Sequence, residues 1–216
     1  MNGMLEPTSG PCAMARIAGI KLCERYDRRY GTDCRSVTPT SLYGPGDNDH
    51  PGNSHVIPAL LRRFHEAPTE AAPEVVIRGS GMPMHAFLYV DHMAAASVHV
   101  MGLAPRDDAA STERMHSHIN VGTGQDVAIA GLARLVGRAV GHRGNTVVDA
   151  SRPGAAPRKL LAVSKLAALG WRASTPLAKG LQRACAAYLD ARCAMPNREG
   201  AASSPEWQVS TRTAHA

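Results

Sequence analysis

The sequence predicts an α/β fold, on three observations. Short runs of β-branched residues alternate with longer helical stretches. Two of those stretches stop at a glycine, Gly31 and Gly141, as helices commonly do. The strands are too few to complete a parallel sheet buried on both faces, so the pattern reads as part of a larger α/β arrangement.

Taken in order, residues 12–30 read as a helix. Pro11 suits its first turn, and Ile17, Ile20, Leu22 and Cys23 recur near the helical period. Arg35 to Thr38 is a short strand running into Pro39-Thr-Ser-Leu-Tyr-Gly-Pro45, and residues 46–53 are a loop by composition. Ser54 is the expected cap of a helix from about His55 to Ala67, with Val56, Ile57, Leu60, Leu61 and Phe64 as its apolar stripe. Glu74 to Arg78 is a strand ending at Gly79-Ser-Gly81, and Phe87 to Val90 is extended ahead of a helix from Asp91 to Leu103.

Asp107 to His116 reads as a polar loop, Ile119 to Val121 as a strand, and Val127 to Val140 as a helix. Thr146 to Asp149 is extended again, and Ser151 to Arg158 is a loop. Helices follow near Ser164–Leu169 and from Pro176 to about Cys193. Beyond Pro196 the chain is polar, lacks periodicity and reads as disordered.

Composition narrows the function. The 216 residues carry a net charge of +6, but the basic residues are spread out without aromatic interleaving, so no nucleic-acid partner is expected. The Arg28-Arg29 and Arg62-Arg63 pairs read as solvated helix faces. Five scattered cysteines form no CxxC pair, which argues against a zinc site or a disulfide framework; no metal is expected. No apolar run approaches the roughly 18 residues of a membrane span, and the first residues do not resemble a signal peptide. These readings together predict a cytoplasmic chain with no membrane partner.

The nearest approach to a dinucleotide loop is Gly122-Thr-Gly-Gln-Asp-Val127. Val127 occupies the place where a third glycine would let helix and strand pack closely, so the segment reads as a plain turn capped by Asp126.

A series of segments carries a more specific signal. Glu6-Pro-Thr-Ser-Gly-Pro-Cys-Ala-Met-Ala-Arg-Ile-Ala-Gly-Ile-Lys21 runs on into Leu22-Cys-Glu24. Pro39 to Pro45 follows, then Asn53-Ser-His-Val-Ile-Pro-Ala-Leu-Leu-Arg-Arg-Phe-His-Glu66 and Gly79-Ser-Gly-Met-Pro-Met84. Val90-Asp91, Met93-Ala-Ala-Ala-Ser97, Ser117-His-Ile-Asn-Val-Gly-Thr-Gly124, Pro157-Arg-Lys-Leu-Leu161 and Leu169-Gly-Trp171 complete it. In this order and spacing the chain, over about residues 5–190, resembles the GDP-L-fucose synthases. These are extended short-chain reductases of the NAD-dependent epimerase/dehydratase family.

The resemblance implies a partial Rossmann-like doubly wound fold lacking its N-terminal strands, with a small α/β substrate-binding domain. Residues 1–50 would be the remnant of the dinucleotide domain, 51–195 mainly the substrate domain with interleaved Rossmann elements, and 196–216 a disordered tail. It also implies an epimerisation at C3 and C5 of GDP-4-keto-6-deoxymannose and a reduction at C4 by NADPH. Protons alpha to a ketone need a positioned base and acid, and a phenol lowered by a neighbouring Lys can protonate the C4 alkoxide.

Carried over by position, His55 stands at the epimerisation acid, and the family's Cys base has no counterpart. Cys12 stands at the catalytic Tyr and Arg16 at the catalytic Lys. A thiol is shorter than a phenol, and a guanidinium is bulkier than an ammonium and stays charged. Read by itself, Cys12 is a small buried hydrophobe on a helix face. Arg16, the Pro39, Thr40, Ser41 and Leu42 segment, and His55 fall at positions toward the NADP cofactor. Arg63 and Lys159 match cations near the sugar-nucleotide diphosphate. Arg78 replaces a Trp, His85 replaces an Arg, and Gly154 falls where an acidic residue is usual.

The expectation is therefore a GDP-L-fucose synthase-like chain that is truncated and inactive alone. The alternative is a non-catalytic pseudoenzyme or gene remnant that binds a sugar nucleotide or an intact homologue. A homodimer through the helix bearing Arg16 to Arg29 is also implied by the family. With the first strands absent, the Ile17-Ile20-Leu22 surface is expected to lie partly uncovered and to favour aggregation.

Overall fold

The computed structural model describes residues 10–67, 74–104, 117–151 and 156–193. The expected loop Asp107–His116, Gly154, Trp207 and the tail from Pro196 lie outside the described residues.

The chain opens with α1 (Gly10–Tyr30), closed where the Gly31 amide donates to the Asp27 carbonyl at 2.9 Å with φ of 66°. β1 (Ser36–Pro39) and β2 (Ser41–Tyr43) follow, then α2 (Val56–Glu66) and β3 (Val75–Arg78). β4 (Met84–His85) and β5 (Phe87–Tyr89) lead directly into α3 (Val90–Met101). β6 (His118–Val121) and β7 (Val127–Ala128) precede α4 (Ile129–Val140), and β8 (Thr146–Asp149) and β9 (Arg158–Lys159) precede α5 (Ser164–Ala168) and α6 (Leu177–Cys193).

Three strand pairs are parallel: β1 with β6, β2 with β5, and β3 with β8. A small mixed sheet runs β7-β4-β9, with β4 antiparallel to β7 and parallel to β9. The junction at Thr40 is the topological centre. The Thr40 amide still bonds the carbonyl of Val121, the last residue of β6, at 2.9 Å, and from Ser41 the chain pairs with β5 instead.

Two apolar cores flank β5, whose three residues are all buried. Phe87 and Tyr89 face the larger core with Ile57, Phe64, Leu132, Val136 and Leu181, while Leu88 faces the smaller one with Val100, Ile119, Val121 and Leu166. α2 and α4 close the larger core at short range. A Cβ on Gly137 would lie 3.3 Å from the Phe64 ring, so glycine lets that ring approach the α4 backbone. Trp171, placed after Gly170, packs against the smaller core.

Several expectations are corrected. His55, not Ser54, is the N-cap of α2, and no side chain makes a capping bond there. α4 starts at Ile129 rather than Val127, because Val127-Ala128 is drawn into the ladder with β4. Asp126 therefore does not cap it and instead pairs with Arg158. Arg62 is buried rather than solvated: it donates to the Asp49 carbonyl at 2.7 Å and pairs with Glu66. Cys12 is exposed, not a buried hydrophobe.

On α1 the buried side chain is Glu24, with Ile17, Ile20 and Cys23 half-buried and Leu22 at 58% exposure. Among the described residues, no helix is long and apolar enough to cross a membrane.

Candidate functional site

Beside the Thr40 junction lies a cleft of about 360 Å³. Its floor and one wall are Tyr43, His85, Phe87 and Tyr89 from β2, β4 and β5. The turn after β6 supplies Thr123, Gln125 and Asp126, and residues 173–177 ahead of α6 supply Ser174 and Thr175. Part of the rim is thus the carboxyl end of a parallel strand, where open α/β folds place their ligands.

The aromatic wall is fixed by packing. The Tyr43 and Tyr89 rings meet edge to face with centroids 5.7 Å apart. Burial, with the neighbouring Tyr89, pushes the Tyr43 phenol up to about 12, so it stays protonated. Its hydroxyl is 3.5 Å from the Leu177 carbonyl, which it can meet only as a donor.

His85 is buried, and burial lowers its pKa. The Ala156 carbonyl pulls the other way, and the Lys159 charge adds to the lowering, so the imidazole is neutral near pH 7. Its Nε2 is 3.4 Å from that carbonyl. A carbonyl only accepts, so the proton sits on Nε2 and Nδ1 keeps its lone pair.

The turn after β6 is shaped for packing rather than phosphate binding. A Cβ on Gly122 would fall 2.8 Å from Thr40 Cγ2, so only glycine lets the turn rest against the junction. Gly124 has φ of +74°, and Thr123 closes the turn through its hydroxyl, which bonds both the Gln125 amide and carbonyl at 3.2 Å. Asp126 is held in an ion pair with Arg158.

The structure spreads the sequence-predicted residues widely. Of them, His85 alone lines the cleft. Cys12 and Arg16 sit exposed on the first turns of α1, and His55 is exposed at the start of α2. Arg63 is half-buried, with its guanidinium 3.4 Å from the Val76 carbonyl; Lys159 is exposed in β9 beside His85. Pro39 ends β1, Thr40 forms the junction, and Ser41 and Leu42 open β2. Arg78 ends β3, and its side chain is outside the description.

Sequence reasoning missed Tyr43, Tyr89, Gln125, Ser174 and Thr175. Their signal is weak because the cleft is assembled from two- and three-residue strands and loops with no period to read. The hydroxyls of Thr123, Ser174 and Thr175, the Gln125 amide and a neutral imidazole, set over buried aromatic rings, suit a polyhydroxylated ring through neutral hydrogen bonds.

The comparisons agree with this architecture. The sequence pattern of the NAD dependent epimerase/dehydratase family matches residues 2–122. The chain is 59% identical over 181 residues to GDP-L-fucose synthase of Escherichia coli K12, covering 84% of this chain and 56% of that protein. It is 46% identical over 193 residues to GDP-L-fucose synthase 1 of Arabidopsis thaliana, covering 89% of this chain and 57% of that one. The chain therefore spans a little over half the length of these relatives. A solved GDP-mannoheptose C4 reductase from Campylobacter jejuni, with NADP bound, superposes with a TM-score of 0.75 at 30% identity, over 88% of this chain and 60% of that one. A Rossmann-like α/β chain with parallel strand pairs and this run of matches belongs to the NAD-dependent epimerase/dehydratase family, on its GDP-L-fucose synthase-like side.

Proposed function

We propose that this chain is the sugar-nucleotide-binding part of a GDP-L-fucose synthase-type epimerase-reductase, and that it holds a GDP-sugar without reducing it by itself. The observation that carries the reading is the cleft of aromatic rings and neutral polar groups, in a chain 59% identical to a GDP-L-fucose synthase. In this reading the sugar ring lies among Thr123, Gln125, Ser174 and Thr175, with the buried Tyr43, Phe87 and Tyr89 beneath them. Arg63 and Lys159 would meet the diphosphate at the rim.

NADP is the dinucleotide that the family resemblance implies, and the bound C. jejuni reductase supports it. The Pro39 to Leu42 junction would face its nicotinamide, with Arg16 and His55 also toward it. The space a pyrophosphate needs is not offered by the Gly122–Gly124 turn, which is filled by Thr40 and Val163. Cys12 and Arg16 in place of Tyr and Lys also leave the alkoxide without its usual proton donor, whereas His55 remains a candidate acid for the epimerisation.

Self-association through α1 fits its i,i+4 row of exposed Met14, Leu22, Tyr26 and Tyr30. The alternative keeps the same cleft and makes the chain a non-catalytic partner of an intact homologue.

The test is calorimetric titration with GDP-L-fucose, GDP and UDP-glucose, alongside NADPH absorbance with GDP-4-keto-6-deoxymannose. Saturable GDP-L-fucose binding without NADPH consumption is expected. Equal indifference to all three nucleotides, or NADPH turnover by the chain alone, would overturn the reading.

A further inference from the structure

The segment that forms one wall of the cleft, residues 173–177, is fastened by a buried histidine on another element. His92, in the first turn of α3, is 9% exposed, with the Trp171 ring centroid 6.2 Å away and that of Tyr89 6.4 Å away, both edge to face. The backbone amides of Ser174 and Thr175 each donate to its Nε2 at 3.3 Å, and the Ser174 hydroxyl lies 3.3 Å from the same atom. Two amides can converge on Nε2 only if it bears a lone pair, so the ring proton must sit on Nδ1. Nδ1 is buried with no hydrogen-bond partner. The imidazole thus gives up a satisfied donor in order to accept from the wall, and a buried unsatisfied donor has a real cost.

We propose that His92 is a proton-controlled latch on the cleft wall. Neutral, with Nε2 bare, it fastens Ser174 and Thr175. Protonated, it turns an N–H toward two N–H groups and releases the segment. Histidine is the side chain whose charge ordinarily changes between about pH 5 and 8.

The titratable and charged groups around it come from every packed element. On β5 there is Tyr89, over whose ring the Arg183 guanidinium of α6 sits 5.9 Å from the centroid. On α3, Asp91 is exposed and His99 is committed to the Leu169 carbonyl at 2.9 Å. Arg172, in the segment leading to the wall, is exposed. The bonds to the imidazole come from the Ser174 and Thr175 amides and the Ser174 hydroxyl.

The consequence for binding rests on the sugar-nucleotide reading, since the wall belongs to that cleft; the test below uses no ligand and stands or falls separately. Amide hydrogen exchange of the full chain is followed by nuclear magnetic resonance between about pH 8 and pH 5, corrected for intrinsic exchange. Protection at Ser174 and Thr175 is expected to fall about tenfold or more on acidification, while core amides such as Leu132 hold. In His92→Asn, whose side-chain oxygen accepts but does not titrate, the two amides should show no such pH dependence.

A second readout needs no variant: the imidazole nitrogen spectrum of the wild-type chain at neutral pH should show a protonated Nδ1 and a bare Nε2. A protonated Nε2, or exchange at Ser174 and Thr175 that follows the core at every pH, would overturn the proposal.

Discussion

Ser117 donates its hydroxyl to Glu24 Oε1 at 2.6 Å, joining α1 to the start of β6 across 93 residues of sequence. Lys21 reaches the same carboxylate at 2.8 and 3.0 Å, and Arg28 lies 3.9 Å away. Burial alone would raise the Glu24 pKa. The hydrogen bonds from Lys21 and Ser117, with the charges of Lys21 and Arg28, outweigh it and hold the carboxyl below the ordinary range.

The sign of the pH effect follows. A carboxylate whose folded pKa is depressed contributes stability above its unfolded value, and that contribution is lost as pH falls through the folded value. Glu24→Gln should cost about 1 kcal/mol in urea unfolding near neutral pH. The difference from wild type should shrink below about pH 4. A penalty that is flat with pH would show that the charge is not what matters.

Gly122→Ala places a methyl 2.8 Å from Thr40 Cγ2 and 3.3 Å from a Val163 methyl. The turn or the junction must move, at about 1–3 kcal/mol. The same change at Gly19, where nothing lies within 4 Å, should be neutral or stabilising in an exposed helix. Chemical denaturation of the two variants separates packing at the junction from glycine's helix propensity.

Arg35 clamps the end of α3. Its guanidinium donates to the carbonyls of Leu103 at 2.9 Å and Met101 at 3.3 Å, bonds Val100 as well, and its Nε bonds Asp33 at 2.8 Å. Carbonyls at a helix end have few amide partners, and of these three only Val100 also accepts from the chain, at 3.3 Å from the Leu103 amide, among the described bonds. Arg35→Ala should cost about 2 kcal/mol and speed amide exchange in the last turn of α3 first.

Leu132 is fully buried in the larger core between α2 and α6. Leu132→Ala should cost about 2–5 kcal/mol by urea unfolding. A value near zero would mean that the core around Phe64 and Leu181 collapses into the gap.

The long elements were legible because their signal is periodic and local. Ile57, Leu60, Leu61 and Phe64 recur at helical spacing and are all buried on α2, and Gly141 ends α4 with φ of 80°, as its position suggested. What stayed hidden was non-local. Met84-His85 becomes a strand only because it meets Val127-Ala128 and Arg158-Lys159, and no two-residue run shows a period. Arg62 looked solvated beside Arg63; its burial follows from the loop at Asp49 folding onto it. The family could be read from the order of segments, but the cleft could not, since His85, Tyr89, Gln125 and Ser174 come from four separate elements. His92 had no signal either, because its partners lie 82 and 83 residues away.

The measurement that tests the account most directly is a backbone amide chemical-shift titration of the chain with GDP-L-fucose. Saturable shifts at Tyr89, Gln125, Ser174 and Thr175, weakened in Gln125→Ala, which alters an exposed lining residue, while the rest of the spectrum is kept, are predicted. Saturable binding whose shifts avoid the cleft, or no shifts at millimolar ligand, would contradict it.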